Sequence, residues 1–457
     1  MLSALLFSIP LQLTVIRDVT VIDGPTSAAR VHHDVVVRDG RIERVGPTQR
    51  NAPRGARVID GRGKYLLPGF IDTHAHVAMG PVTYRVDAGG PQMSFRYDHE
   101  ASRHTLATLL AFGVTTVRNP GGPIEHAVAL RDSLERGQVP GPRVRTAGEA
   151  IDVFASPGMG RAATTPEAMR EEVRRQAAFG VDYIKLYGGL SLPLVKAGID
   201  EAHARGVKAI THTVFTTWTD AANAGIDGIV HVVPGSHMLI DSTRRVDYIK
   251  TFKGTQFMAT WFRYADTSST EIRTMIDALV RNGTWLDLTL VTFDRMFRGN
   301  SAAVRESPDL RFASPVMREN WKTFDLALGW SPQDYMDAVA VWPRVEAFVR
   351  ALFRAGVRLT VGTDANNPWT VPGISFHDEL ELLVKAGIPA SDVLRMATLD
   401  GAKSLGLEAE IGTVEPGKRA DLVLLEADPR VDIRNTRRLA VIVQRGEIRR
   451  AADPRSR

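Results

Sequence analysis

Residues 166–186, PEAMREEVRRQAAFGVDYIKL, hold a helical stretch, a glycine and a short apolar strand in direct succession. A helix that turns at once into a strand is the repeating unit of a parallel sheet with helices on its outside. The unit recurs along the chain. Leu106 to Phe112 has a helical pattern ahead of Val114-Thr115-Thr116-Val117, and Leu192 to Arg205 precedes Val207-Lys208-Ala209-Ile210. Trp218 to Ala224 precedes Gly228-Ile229-Val230, and Val345 to Ala355 precedes Arg358-Leu359-Thr360-Val361. Spread over residues 68 to 405, this recurrence predicts an α/β fold, a closed (β/α)8 barrel of the TIM type. Residues 237 to 343, rich in Trp, Phe, Arg and Asp, fit the pattern least and are left without assigned elements.

The two ends have a different texture. Short β-branched runs alternate with turns in Thr20-Val21-Ile22-Asp23-Gly24, Asp34-Val35-Val36-Val37-Arg38-Asp39-Gly40 and Arg57-Val58-Ile59-Asp60-Gly61. Asp-Gly between such runs is a strong hairpin signal. The same texture returns in Ala420 to Leu425 and Leu439 to Gly446. Each end is too short to fold alone. The expectation is one small β-sandwich domain built from residues 1–66 and 408–457, beside a barrel of residues 67–407.

A chain of 457 residues suits one large barrel plus an accessory domain. Its 44% hydrophobic and 24% charged content is that of a soluble globular protein. The net charge of +5 comes from 57 basic and 52 acidic residues that are interspersed. The densest basic stretch, Arg430 to Arg457, lacks interleaved aromatics, so no nucleic-acid partner is expected. Absence of cysteine excludes disulfides and thiolate metal sites, leaving nitrogen and oxygen ligands. No apolar run is long enough to span a bilayer. Met1 to Leu13 is apolar but lacks a basic n-region and a clear cleavage site, which leaves cytoplasmic and exported locations both open.

Active sites of parallel barrels sit where the C-terminal ends of the strands converge. At the first such end stands Pro68-Gly69-Phe70-Ile71-Asp72-Thr73-His74-Ala75-His76. Residues i and i+2 of an extended chain share a face, so His74 and His76 project together. Two neutral imidazoles on one rigid face are half of a site for a divalent transition metal. Further along, Lys185 sits within an apolar strand, His212 and His231 end the next two, and Asp364 ends a late one. Singly, each has an ordinary explanation: a satisfied core histidine, a helix cap, a snorkelling lysine. Six such residues at matching strand ends point to one site.

These residues, with Gly362-Thr363-Asp364, resemble the amidohydrolase superfamily. The stretch from His377-Asp378-Glu379-Leu380 through Ala397-Thr398 and Ala402 looks like its imidazolonepropionase-like branch. So does Gly412-Thr413-Val414-Glu415-Pro416-Gly417-Lys418-Arg419-Ala420-Asp421-Leu422-Val423. That branch includes Xaa-Pro dipeptidases and related amidases. The resemblance implies two divalent metal ions, with zinc the default and manganese, cobalt or iron alternatives. It assigns His74 and His76 to the more buried ion, His212 and His231 to the other, and Asp364 to the first. Lys185, carboxylated by CO2, would bridge both as an anionic carbamate, since an ammonium would repel cations. The implied reaction is attack of a metal-bridging hydroxide on a small-molecule substrate, a dipeptide or N-acyl amino acid, with Asp364 shuttling the proton. A lactone, cyclic imide or organophosphate would suit the same site, and a catalytically dead scaffold is the alternative outside enzymes. A homo-oligomer is the expected assembly.

Departures from the family pattern and further candidates complete the list. Asn119 stands where relatives commonly carry an acid, and Thr213-Val214-Phe215 follows His212 in place of an alanine-rich continuation. Tyr187, His237 and Arg118 are candidates for substrate binding, and Arg263 and Arg295 for anchoring a substrate carboxylate. His377 is a weaker candidate. His32, His33, His99, His104, His126 and His203 are expected at the surface or in packing. The seven tryptophans are expected mainly in the core, with some available to line a pocket.

Overall fold

The computed structural model describes residues 13–23, 29–87, 90–449 and 451–452. The apolar segment before residue 13, and residues 450 and 453–457 of the basic tail, lie outside the described residues. Eight short strands run parallel: β1 (Phe70–Asp72), β2 (Val114–Asn119), β3 (Arg143–Thr146), β4 (Tyr183–Leu186), β5 (Lys208–Thr211), β6 (Gly228–Val230), β7 (Trp285–Asp287) and β8 (Arg358–Thr360). Between β3 and β4 the ladder continues through Asp182 N donating to Thr146 O at 2.8 Å and a parallel bridge of Ala147 with Tyr183. The circuit closes from β8 to β1, where Thr73 N donates to Val361 O at 2.8 Å. The result is a closed TIM-type barrel. Its strands are covered on both faces, which is why they appear in the sequence as unbroken apolar runs and not as alternation.

The helices outside begin and end where local chemistry directs. In α1 (Pro166–Phe179) the Thr165 side chain accepts from Ala168 N, and Pro166 occupies the first turn, where its missing N–H costs nothing. In α2 (Thr270–Asn282) the Ser269 side chain accepts from Ile272 N. Residues 237–343 proved hard to assign for an identifiable reason. Two additional helices, Ser242–Thr251 and Phe257–Tyr264, stand ahead of the ordinary helix–glycine–strand unit formed by α2 and β7. After β7 come α3 (Leu290–Phe297) and, later, the 23-residue α4 (Pro332–Arg354), which opens with a capping box between Ser331 and Asp334. Beyond β8, α5 (Ile374–Lys385) packs against α3. No helix among the described residues is long and apolar enough to cross a membrane.

The sandwich expected of the two chain ends is, in hydrogen-bonding terms, one continuous eight-stranded sheet. Its seam is the antiparallel pairing of Tyr65–Pro68 with Leu422–Leu425. Side chains alternate across the latter strand: Leu422 and Leu424 join Ile16, Val35 and Leu66 in a small core, while Val423 and Leu425 face the barrel's main core. Two hairpins are closed by Asp39-Gly40 (φ 50° and 77°) and Arg445-Gly446 (φ 52° and 79°). Positive φ at both central residues is the hairpin geometry that matches strand twist. The two turns abut, and a Cβ on Gly446 would lie 2.8 Å from Gly40 Cα.

Candidate metal centre

The site is assembled by the segments that follow β1 and β8. Buried Asp72 accepts through Oδ1 from His74 N and Thr363 N, both at 3.1 Å, and through Oδ2 from Thr363 Oγ1 at 2.7 Å. Burial pushes its carboxyl up to about 7. One carboxyl thus ties both loops together and sets His74 opposite Asp364. Gly362 permits the approach, since a Cβ there would lie 2.8 Å from His74 Cβ.

Nε2 of His74 and of His76 lie 3.3 and 3.1 Å from Asp364 Oδ1. The His231 ring centre is 4.7 Å from that of His74 and 4.6 Å from that of His212. Lys185 reaches the same space, and all six residues line one cavity of about 260 Å³. Lys185 Nζ, His212 Nδ1 and Asp364 Oδ1 are buried there without a hydrogen-bond partner. Each such orphan costs about 1–3 kcal/mol, so a cluster of three is expected where a ligand satisfies them. Nitrogen and oxygen donors converging from rigid strand ends fit divalent cations. His231 and Asp364 also hold left-handed backbone, φ 73° and 58°, a strain of about 1–3 kcal/mol each that gathers at functional sites.

The protonation states suit that role. Burial lowers the Lys185 amine to about 7. Burial, reinforced by the neighbouring lysine charge, lowers His212 to about 3, and burial, reinforced first by His212, holds His231 well below the ordinary imidazole range. Burial also lowers His76. For Asp364, burial alone would raise the carboxyl, but the surrounding imidazoles, His74 foremost, hold it well below the ordinary range. Neutral imidazoles at His76, His212 and His231 and an ionised Asp364 are forms that bind metal. At His74 burial is outweighed by the Asp287 and Asp364 carboxylates, which raise the imidazole, so that metal binding there displaces a proton.

A surrounding layer orients these groups. Asp287, at the end of β7, sets Oδ1 3.1 Å from His74 Nδ1 and pairs through Oδ2 with Arg118. His74 Nε2 is thereby left for the cavity. His231 Nδ1 lies 2.8 Å from Thr289 Oγ1, and Thr289 stands at the start of α3. Glu379, wholly buried on α5, accepts from Leu290 N and Val291 N of α3 at 3.0 and 2.6 Å. Asp72, Asp287, Thr289 and Glu379 were not singled out from the sequence. Asp72 and Glu379 stood within the family motifs without a role of their own, and Asp287 ends a helix–glycine–strand unit in the stretch left without assigned elements.

The other candidates separate clearly. Tyr187 lines the cavity, its ring 5.1 Å from that of His212. Arg118 does not line it. It is buried against Asp287 and over the Tyr183 ring at 5.5 Å, and so supports the site from outside the cavity. His237 is exposed in a short 3-10 turn and is not brought to the cavity. Arg263 is 60% exposed and 3.6 Å from Asp337, and Arg295 pairs with Asp294 and Asp378 at 2.9 and 2.8 Å. Neither reaches the cavity. His377 pins α5, with Nε2 donating to Phe112 O at 3.0 Å and Nδ1 2.9 Å from Thr436 Oγ1. Asn119 accepts from Val77 N at 3.1 Å and donates to Thr146 Oγ1 at 2.9 Å, building the loop after β1. None of the tryptophans, and none of the six remaining histidines, is among the cavity's lining residues.

Residues 65–449 match the model of the amidohydrolase family. The chain belongs to that family. An imidazolonepropionase of Porphyromonas gingivalis is 23% identical over 444 residues, covering 89% of this chain and 84% of the relative. Among solved structures, a putative prolidase from Bifidobacterium longum superposes with a TM-score of 0.70 at 24% identity, covering 97% of this chain and 96% of the other. A Xaa-Pro dipeptidase with bound methionine in its active site gives 0.69 at 21% identity, over 96% of this chain and 100% of the other. At these identities the structural likenesses speak for the fold.

Proposed function

We propose that this amidohydrolase is a binuclear metal-dependent hydrolase that cleaves an amide C–N bond of a small molecule. The observation that carries the reading is the convergence of His74, His76, Lys185, His212, His231 and Asp364 on one cavity, with three of their polar atoms unsatisfied. His74, His76 and Asp364 would hold one ion, and His212 and His231 the other. The fully buried Lys185 Nζ, poor as a ligand while an ammonium, would supply anionic oxygen donors to the ions if carboxylated by CO2. Zinc is the ion that nitrogen and oxygen donors with hydrolytic work favour. When bound, such ions ionise water near neutrality and polarise the substrate carbonyl.

The protein's own groups supply the rest. Asp364 takes a proton from the attacking water and returns it to the departing nitrogen, so that water adds across the bond and an acid and an amine leave. Asp287 and Thr289 fix which imidazole nitrogen faces the cavity. The relatives named imidazolonepropionase and Xaa-Pro dipeptidase favour the same bond class. A Lys185→Ala variant should lose bound metal and nearly all turnover, as read by elemental analysis and amide hydrolysis. Normal metal content with full activity would refute the bridging role.

A further inference from the structure

A dipeptide or an N-acyl amino acid brings a free carboxylate into the active site. A carboxylate taken from water into a largely apolar cavity needs a cationic partner or pays a heavy desolvation cost. Among the described residues, no arginine lines this cavity, its one lysine is Lys185, and the ions of the proposed site would be committed to the attacking water and the scissile carbonyl. The two arginines that could have served, Arg263 and Arg295, are engaged elsewhere with Asp337 and with Asp294 and Asp378. Beyond the candidate ligands and Tyr187, the ionisable side chain on the wall is an acid, Asp152. It already accepts from Val153 N at 2.7 Å and Gly189 N at 3.0 Å.

The wall is otherwise soft and apolar. Met79, Met93, Met159, Met258 and Met296 all contribute to it. Methionine is unbranched and polarizable, and adapts to irregular apolar shapes. Phe154, Phe293, Phe324 and Leu326 add flat or branched surface, and Phe154 is 74% exposed. Of the polar wall residues, Thr255 donates to Leu326 O, Thr292 to Thr363 O and Asn367 to Asp364 O, so beside the candidate ligands and Asp152 the remaining polar groups are the neutral hydroxyls of Ser156 and Tyr187.

From this lining we infer that the substrate is an uncharged amide, apolar on both sides of the scissile bond and without a free carboxylate. The inference rests on the hydrolase reading for the bond that is cut, and on the cavity wall for what surrounds that bond. The recognition is apolar burial in a cavity with few polar anchors.

A matched pair tests it: hexanoyl 4-nitroanilide and its 3-carboxy analogue, which differ by one carboxylate and release a coloured amine. With the zinc-loaded, full-length protein, kcat/KM for the neutral anilide should exceed that for the carboxylated one at least tenfold. Equal or faster cleavage of the carboxylated anilide would overturn the inference. A second pair separates binding from chemistry: hexanophenone and 3-carboxyhexanophenone, ketones with no bond to hydrolyse, titrated calorimetrically. The neutral ketone should bind at least tenfold more tightly. Equal affinities, a reversed order, or no binding of either would overturn the cavity inference. If the ketone preference holds while neither anilide is cleaved, the hydrolase reading fails and the inference about the wall stands.

Discussion

At the scale of single residues, Asp364 is asked to do two things, bind an ion and carry a proton. Asp364→Asn keeps the shape and one oxygen donor but cannot accept the proton. Turnover should fall by about 10²–10⁴-fold, the usual worth of a positioned acid–base group, while metal content falls much less. Elemental analysis beside kinetics checks the split, and parallel loss of both would argue that Asp364 serves only as a ligand. Glu379 offers a cleaner pH test. Burial, only partly offset by the backbone N–H groups of Leu290 and Val291, raises its carboxyl from 4.5 to about 8. The folded protein therefore binds that proton more tightly than the unfolded chain does. The associated stability is fully present below about 4.5 and is lost as pH rises through about 8. In Glu379→Gln that loss disappears, so the melting temperature of the variant relative to the parent should climb across this range. A constant difference in calorimetric scans would contradict the assignment. The six candidate ligands could be found in the sequence because each has both a telling side chain and a telling position at a strand end. The roles of Asp287 and Glu379 could not be read there, because they exist only through a second side chain or a helix brought near by folding. Arg263, Arg295 and His237 show the converse, since nothing local dictates where a surface side chain points.

At the scale of elements, caps and turns decide more than propensity does. Thr165→Ala removes the side-chain acceptor for Ala168 N and should cost about 1 kcal/mol in urea unfolding of the metal-loaded protein. Gly446→Ala is a harsher change, because it puts a Cβ on left-handed backbone and against the facing Gly40 turn. It should cost at least about 1–3 kcal/mol by the same measurement. A loss no greater than that of Thr165→Ala would show that the two turns part easily. The Asp39-Gly40 hairpin was legible because its dipeptide is a turn signal in its own right. Arg445-Gly446 adopts the same geometry with a less telling first residue. Strands β3 and β7 are not legible because neither offers a long unbroken apolar run. One is Arg-Val-Arg-Thr, the other three residues behind two extra helices.

At the scale of the whole molecule, the barrel was legible because its unit recurs, and recurrence survives errors in any one element. Its closure was expected with it, but the side-chain tie across the closing seam was not, since it depends on Asp72 and Thr363 meeting across the length of the chain. Metal, if it satisfies the orphaned atoms, should couple to global stability. A ligand held at 100 times its Kd stabilises the folded state by about 2.7 kcal/mol. Dialysis against a chelator should accordingly lower the melting temperature and abolish turnover, and zinc should restore both. An unchanged melting temperature after verified metal loss would show that the cavity is rigid without its ions. The seam between Tyr65–Pro68 and Leu422–Leu425 has a consequence for biosynthesis. On the ribosome the first of these strands emerges long before its neighbour, so over that interval the nascent polypeptide carries an open sheet edge. Such edges recruit other chains. A message truncated before residue 422 would strand that edge permanently, releasing a product prone to aggregate even though every candidate ligand had already been made.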